Sequence, residues 1–107
     1  MVKYIQAITT TGKKEEAIEI ARMLVEKRLA ACAQVVGPVF STYRWKGSIE
    51  QAEEWQCVIK SRQDLFGQLS EAIKAIHPYE TPEIIATEIS AGGDDYMKWL
   101  HNELKSH

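Results

Sequence analysis

No apolar run in the 107 residues approaches the ~18 needed to cross a bilayer, so no membrane-spanning helix is expected. Cysteine is scarce: Cys32 and Cys57 are too few for a disulfide scaffold. Excess positive charge is missing as well. With 13 Lys plus Arg against 15 Asp plus Glu, the net charge is −2, which argues against nucleic acid as a partner. The opening Met1-Val2-Lys3-Tyr4 lacks a basic segment followed by an apolar one, so secretion is not signalled. The chain contains no CxxC, HExxH, GxGxxG, Walker or GxSxG pattern, and the standard catalytic motifs are silent. What remains is a 45% hydrophobic, 26% charged chain, ordinary for a globular protein. It reads as one domain over residues 1–107, cytoplasmic, with reduced thiols.

Periodicity places the elements. Residues 2–9 are β-branched and aromatic-rich and read as a strand. From Lys13 to Arg28, Ala17, Ile18, Ala21, Leu24 and Val25 form a helical stripe, with Lys27 and Arg28 expected in its last turn. Residues 31–45 read as a long strand with a bulge at Gly37-Pro38, because proline cannot donate to a ladder. Lys46-Gly47 is a two-residue turn, and residues 48–61 return as a second long strand. Ser61 to Asp64 resembles a capping box opening a helix whose stripe runs from Leu65 to Ile76. His77-Pro78 stops it. Residues 83–89 form a strand, and Asp94 and Asp95 open a last helix carrying Tyr96, Trp99, Leu100 and Leu104. The order β-α-β-β-α-β-α predicts an α+β ferredoxin-like βαββαβ sandwich with an extended central hairpin and an extra C-terminal helix. Right-handed crossovers put the first and third strands at the centre of the sheet.

The hairpin is too long for one such globule. Two strands of 14 or 15 residues reach roughly 45–50 Å at ~3.3 Å per residue. The radius of gyration expected at this length is only ~13 Å. Its tip carries Phe40, Tyr43 and Trp45, and an unsupported aromatic ribbon invites pairing with sister chains. A two-residue turn pairs Trp45 with Ser48, which sets Cys32 opposite Ser61 and Cys57 opposite Val36. The thiols are then ~13 Å apart, beyond the ~7 Å that a disulfide tolerates.

The densest polar and aromatic cluster is His77-Pro78-Tyr79-Glu80-Thr81-Pro82-Glu83. Its plain reading is a rigid helix stop, with His77 satisfying the helix C-terminus. Its functional reading is that His77, Glu80 and Glu83 present an imidazole and carboxylates to a metal or small ligand. Cys32 is either a soft ligand or a small buried hydrophobe, and Cys57 reads as core. Lys60, Glu54 and Glu50 read as a solvated face; His101 and His107 read as exposed-helix and terminal residues rather than ligands. The topology sets Cys32 and His77 at opposite ends of the sheet, so a site using both must lie between subunits.

Taken together, Leu29-Ala30-Ala31-Cys32-Ala33, Ser41 through Ile49, Lys60-Ser61, His77 through Ile84 and Gly93 through Leu100 resemble the CutA family of divalent-cation tolerance proteins. The resemblance runs along nearly the whole chain. It implies a homotrimer like that of the PII signalling proteins, with long hairpins crossing into neighbours, and a link to copper and other divalent metals. Cys32 and His77 match the family's cysteine and the histidine of its His-Pro-Tyr motif. Tyr43, Trp45, Lys60, Tyr79 and Glu80 match positions lining the intersubunit cleft, and Glu83 is expected beside them. Some copper-binding members have a further cysteine and histidine where this chain has Thr9 and Ile76. The expectation is therefore weak divalent-cation binding, with Cu(II) as candidate, by Cys32, His77 and Glu80 and without catalysis. The alternative is a PII-like trimer sensing a nucleotide or other small anion through Lys60, Arg44 and Arg62. Thiol titration of the denatured, non-reduced chain should find two free sulfhydryls; fewer would contradict the hairpin register.

Overall fold

The computed structural model describes residues 1–106; His107, expected to be a terminal bystander, lies outside the described residues. Strand β1 (Tyr4–Thr11) leads into helix α1 (Lys14–Glu26), then the long strands β2 (Cys32–Trp45) and β3 (Ser48–Arg62). A short 3-10 turn (Gln63–Leu65) opens α2 (Phe66–Ile76), followed by β4 (Ile85–Glu88) and α3 (Asp94–Glu103). The strands form one antiparallel sheet in the order β2-β3-β1-β4, the expected arrangement with β1 and β3 central.

Alternation along β1 buries Ile5, Ala7 and Thr9 on one face. On that face Ala7 and Ile59 meet Ile20 and Leu24 of α1 and Leu69 and Ile73 of α2, all 1% exposed or less. Cys57 belongs to this core, and burial pushes its thiol up to about 12, which makes it inert. Both cysteines are free thiols. Helix α3 and the residue after it add Leu100 and Leu104 to this core at one end of the sheet. There Tyr4 Oη lies 2.7 Å from His101 Nδ1, and buried Arg62 donates from Nη2 to the Lys105 carbonyl at 2.9 Å. No described helix is long and apolar enough to cross a membrane.

Local signals resolve differently in three places. Helix α1 stops at Glu26, so Lys27 and Arg28 fall just past its last turn. Arg28 takes φ +58°, held there by Lys105 N–H donating to its carbonyl at 2.9 Å. The Ser61–Asp64 capping box does not form, because Ser61 Oγ donates instead to the Leu29 carbonyl at 2.6 Å, tying β3 to the end of α1. The last strand is shorter than the 83–89 run: its ladder covers Ile85–Glu88, and Ile89 adds one backbone bond to the Tyr4 carbonyl at 2.8 Å.

The hairpin is as long as its residue count demands, and the molecule measures 44 × 25 × 21 Å. Lys46 (φ +50°) and Gly47 (φ +83°) form the tight turn. From there the ladder runs Trp45↔Ser48 to Val39↔Glu54, then shifts at Gly37-Pro38 and resumes at Val36↔Gln56. The shift corrects the uniform register: Cys32 faces Lys60 rather than Ser61, and Cys57 faces Val35 rather than Val36. Gly37 is the residue that permits it, because a Cβ there would lie 2.6 Å from the Trp55 ring. Gly37→Ala should therefore lower stability by about 1–3 kcal/mol through overpacking. Gly67→Ala, where a Cβ meets nothing within 4 Å, should be neutral or slightly stabilising. Urea unfolding at fixed protein concentration checks the pair; equal midpoints would refute the role given to Gly37.

Candidate functional site

The site begins with the stop of α2. Pro78 cannot continue a helix, so the chain turns at His77, whose ring is pulled inward to 9% exposure. His77 Nε2 donates to the Thr10 carbonyl at 2.8 Å, and Nδ1 accepts the Tyr79 N–H at 3.0 Å. A carbonyl only accepts and an amide N–H only donates, so the ring is held as its neutral Nε2–H tautomer. Both nitrogens are spent on backbone. His77 here pins the loop to the end of β1 rather than satisfying the C-terminus of its own helix with its ring, and presents no lone pair outward.

Pinning His77 aims Tyr79 at the hairpin. Tyr79 Oη donates to Glu54 Oε2 at 2.7 Å. Glu54 is only 7% exposed, which corrects its reading as part of a solvated face. Around this bond lies a cleft of about 300 Å³ lined by Tyr43 and Trp45 of β2, Glu54 of β3, and Tyr79, Glu80 and Glu83 of the loop. No lysine or arginine is among its lining residues. Burial, then the bond to Glu54, then the negative charge of Glu54 raise the Tyr79 phenol above the ordinary tyrosine range.

The other expected residues lie elsewhere. Cys32 and Lys60 share the β-ladder row of Gln6, whereas His77 reaches Thr10, four residues further along β1. That offset is ~13 Å within one chain. Lys60 Nζ donates to Gln34 Oε1 at 2.8 Å, and the Cys32 sulfur lies against the Tyr96 hydroxyl, whose pKa rises through burial and this contact. Among the described residues no three His, Cys, Asp or Glu side chains are gathered as a metal would require. Thr9 is turned into the core opposite Cys57, its hydroxyl buried without a hydrogen-bond partner. Glu54 is the site residue that sequence reading missed. The available signal was its position on the same side of β3 as the partners of Tyr43 and Trp45, which the two-residue turn already fixes.

A neutral phenol against a carboxylate gives a pH signature. The folded pKa of Tyr79 lies above the unfolded value of about 10. The stability it contributes is therefore complete below pH 10 and drains away as pH climbs past it. In a spectrophotometric titration, Tyr79→Phe should delete a late-ionising tyrosine, and Glu54→Gln should bring that ionisation to lower pH. A Tyr79→Phe difference curve centred in the ordinary tyrosine range would disprove the coupling.

The family model described as CutA1 divalent ion tolerance protein matches residues 5–103. Protein CutA of Mus musculus is 40% identical over 100 residues, covering 94% of this chain and 56% of the mouse protein. The chain thus spans about half the length of that relative. The divalent-cation tolerance protein CutA of Thermus thermophilus is 41% identical over 93 residues, covering 87% of this chain and 90% of that one. The crystal structure of CutA1 from Oryza sativa superposes with a TM-score of 0.96 at 34% identity, covering 99% of this chain and 97% of that one. Relatives include proteins named as chloroplastic and as periplasmic. By fold, by length of match and by identity, the chain belongs to the CutA1 divalent ion tolerance family.

Proposed function

We propose that the chain is a non-catalytic, homotrimeric protein of divalent-metal tolerance that holds divalent cations weakly, Cu(II) among them, at three equivalent clefts between subunits. The observation that carries this is the cleft itself: Glu54, Glu80 and Glu83 line one cavity with no basic lining residue, though within one chain they are not gathered closely enough to hold an ion together. Carboxylate oxygens alone make a low-affinity site for a borderline metal. Cys32 from a neighbouring subunit would add the soft donor that the cleft lacks within one chain. His77 contributes by holding the loop that carries Glu80 and Glu83, and would ligate only by giving up one of its two backbone hydrogen bonds.

The trimer rests on the hairpin. On one face of the ribbon Phe40 is 81% and Ile49 66% exposed. So much apolar surface on one ribbon calls for a covering partner. The two unpaired cysteines suit the cytoplasm. A phosphate-sensing trimer is less favoured. Lys60 is engaged with Gln34, and Arg62 is buried against Asp64 and the Lys105 carbonyl, so the basic groups do not converge.

Sedimentation at micromolar concentration should show a three-chain species. Calorimetric titration with Cu(II) should show weak saturable binding, lost in a Glu80→Gln/Glu83→Gln double variant and reduced in His77→Ala. Unchanged affinity in the double variant would remove the cleft as the site, and a compact folded monomer would remove the trimer.

A further inference from the structure

A bare metal ion uses little of a 300 Å³ cleft, and three aromatic walls offer it nothing. We propose that the cleft is also a receptor for a small organic cation of the quaternary or alkylated ammonium class. This rests on the reading of the cleft as a cation site and names a second ligand for it.

Four observations carry the inference. Tyr43, Trp45 and Tyr79 line one cavity, and aromatic faces attract a weakly hydrated cation whose charge is spread over methyl groups. Glu54 is 93% buried against them, hydrogen-bonded to Tyr79 Oη, and no ion pair to it forms among the described residues. A carboxylate taken out of water without a counter-charge is costly, and a cation entering the cleft would relieve that cost. Trp45 is already seen to take an ammonium: Lys46 Nζ lies 5.8 Å from its ring centroid. Finally, the cavity sits at the small end of ligand sites, the size for a headgroup rather than an extended molecule.

The geometry also divides the labour. The rings would select for a bulky apolar cation over a hydrated metal. Glu54, at the inner wall, would supply the opposite charge, while Glu80 and Glu83, both exposed, would draw cations to the mouth. Tyr79 would act on both sides, offering its ring to the ligand and its hydroxyl to Glu54. Lys46 would swing off Trp45 on occupation or remain on the ring's other face.

The test is calorimetric titration of the full-length assembled protein with choline and with its neutral tert-butyl isostere, in which carbon replaces the ammonium nitrogen. Choline should bind roughly tenfold more tightly than the isostere, the margin expected of a cation over aromatic faces. Glu54→Gln removes the charge yet keeps an oxygen to accept the Tyr79 hydroxyl, so the fold should survive; affinity should fall about three- to tenfold. Trp45→Leu should weaken choline comparably, and Trp99→Leu on α3 should not. Circular dichroism verifies that each variant is folded. Equal binding of choline and isostere, no choline binding, or unchanged affinity in folded Glu54→Gln would overturn the proposal. Cu(II) binding without choline binding would sink this inference and leave the metal reading standing. Choline binding with the expected variant pattern but no Cu(II) binding would do the reverse.

Discussion

The register of the long hairpin, set by the turn at Lys46-Gly47 and broken once at Gly37-Pro38, is the constraint on which the site depends. Side chains alternate along a strand, so one extra residue transfers everything beyond it to the other face. Before the bulge, Cys32, Gln34 and Val36 pair with Lys60, Val58 and Gln56. Beyond it, Val39, Tyr43 and Trp45 pair with Glu54, Glu50 and Ser48, on that same side of β3. Without the shift, Cys32, Gln34 and Val36 would face Ser61, Ile59 and Cys57 on the helix-covered side, and Ala33 and Val35 would leave the core. Trp55 enforces the device by packing where a side chain at residue 37 would stand.

The second half of the cleft is brought in by backbone chemistry rather than by packing. Once Pro78 ends α2, the His77 imidazole becomes a two-sided connector between the Thr10 carbonyl and the Tyr79 amide. A residue type associated with metal ligation is thereby used to hold a loop. The loop in turn delivers Tyr79 to Glu54, so that a carboxylate at 7% exposure has a donor though no counter-charge. The result is an inner acidic wall with aromatic flanks, a polarity suited to cations and unsuited to phosphates.

Cys32 and Lys60 show the other consequence of topology. They sit at the α3 end of the sheet, in a row with Gln6, while the acidic cleft sits at the opposite end. A ribbon 14 to 15 residues long spans the distance between these two ends. Its exposed apolar side chains and its reach belong to the same design.

The element order, the central pairing of β1 with β3, the length of the hairpin and the core stripe of α2 were all legible in the sequence. Each follows from local rules: a period of two or 3.6, a proline that cannot donate, a glycine that can adopt positive φ. The aromatic and acidic residues of the His77–Glu83 loop stood out for the same reason, as an unusual run with two rigid points. What only the tertiary structure decided was which of them meet. Glu54 looks solvated in a strand of alternating acids until Tyr79 arrives from another element. His77 looks free until Thr10, 67 residues away, takes its proton donor. Capping at Ser61 loses to a distant carbonyl at Leu29. Hydrogen-bond partners are chosen by proximity in space, and that proximity is set by how elements distant in sequence pack together, which no local pattern records.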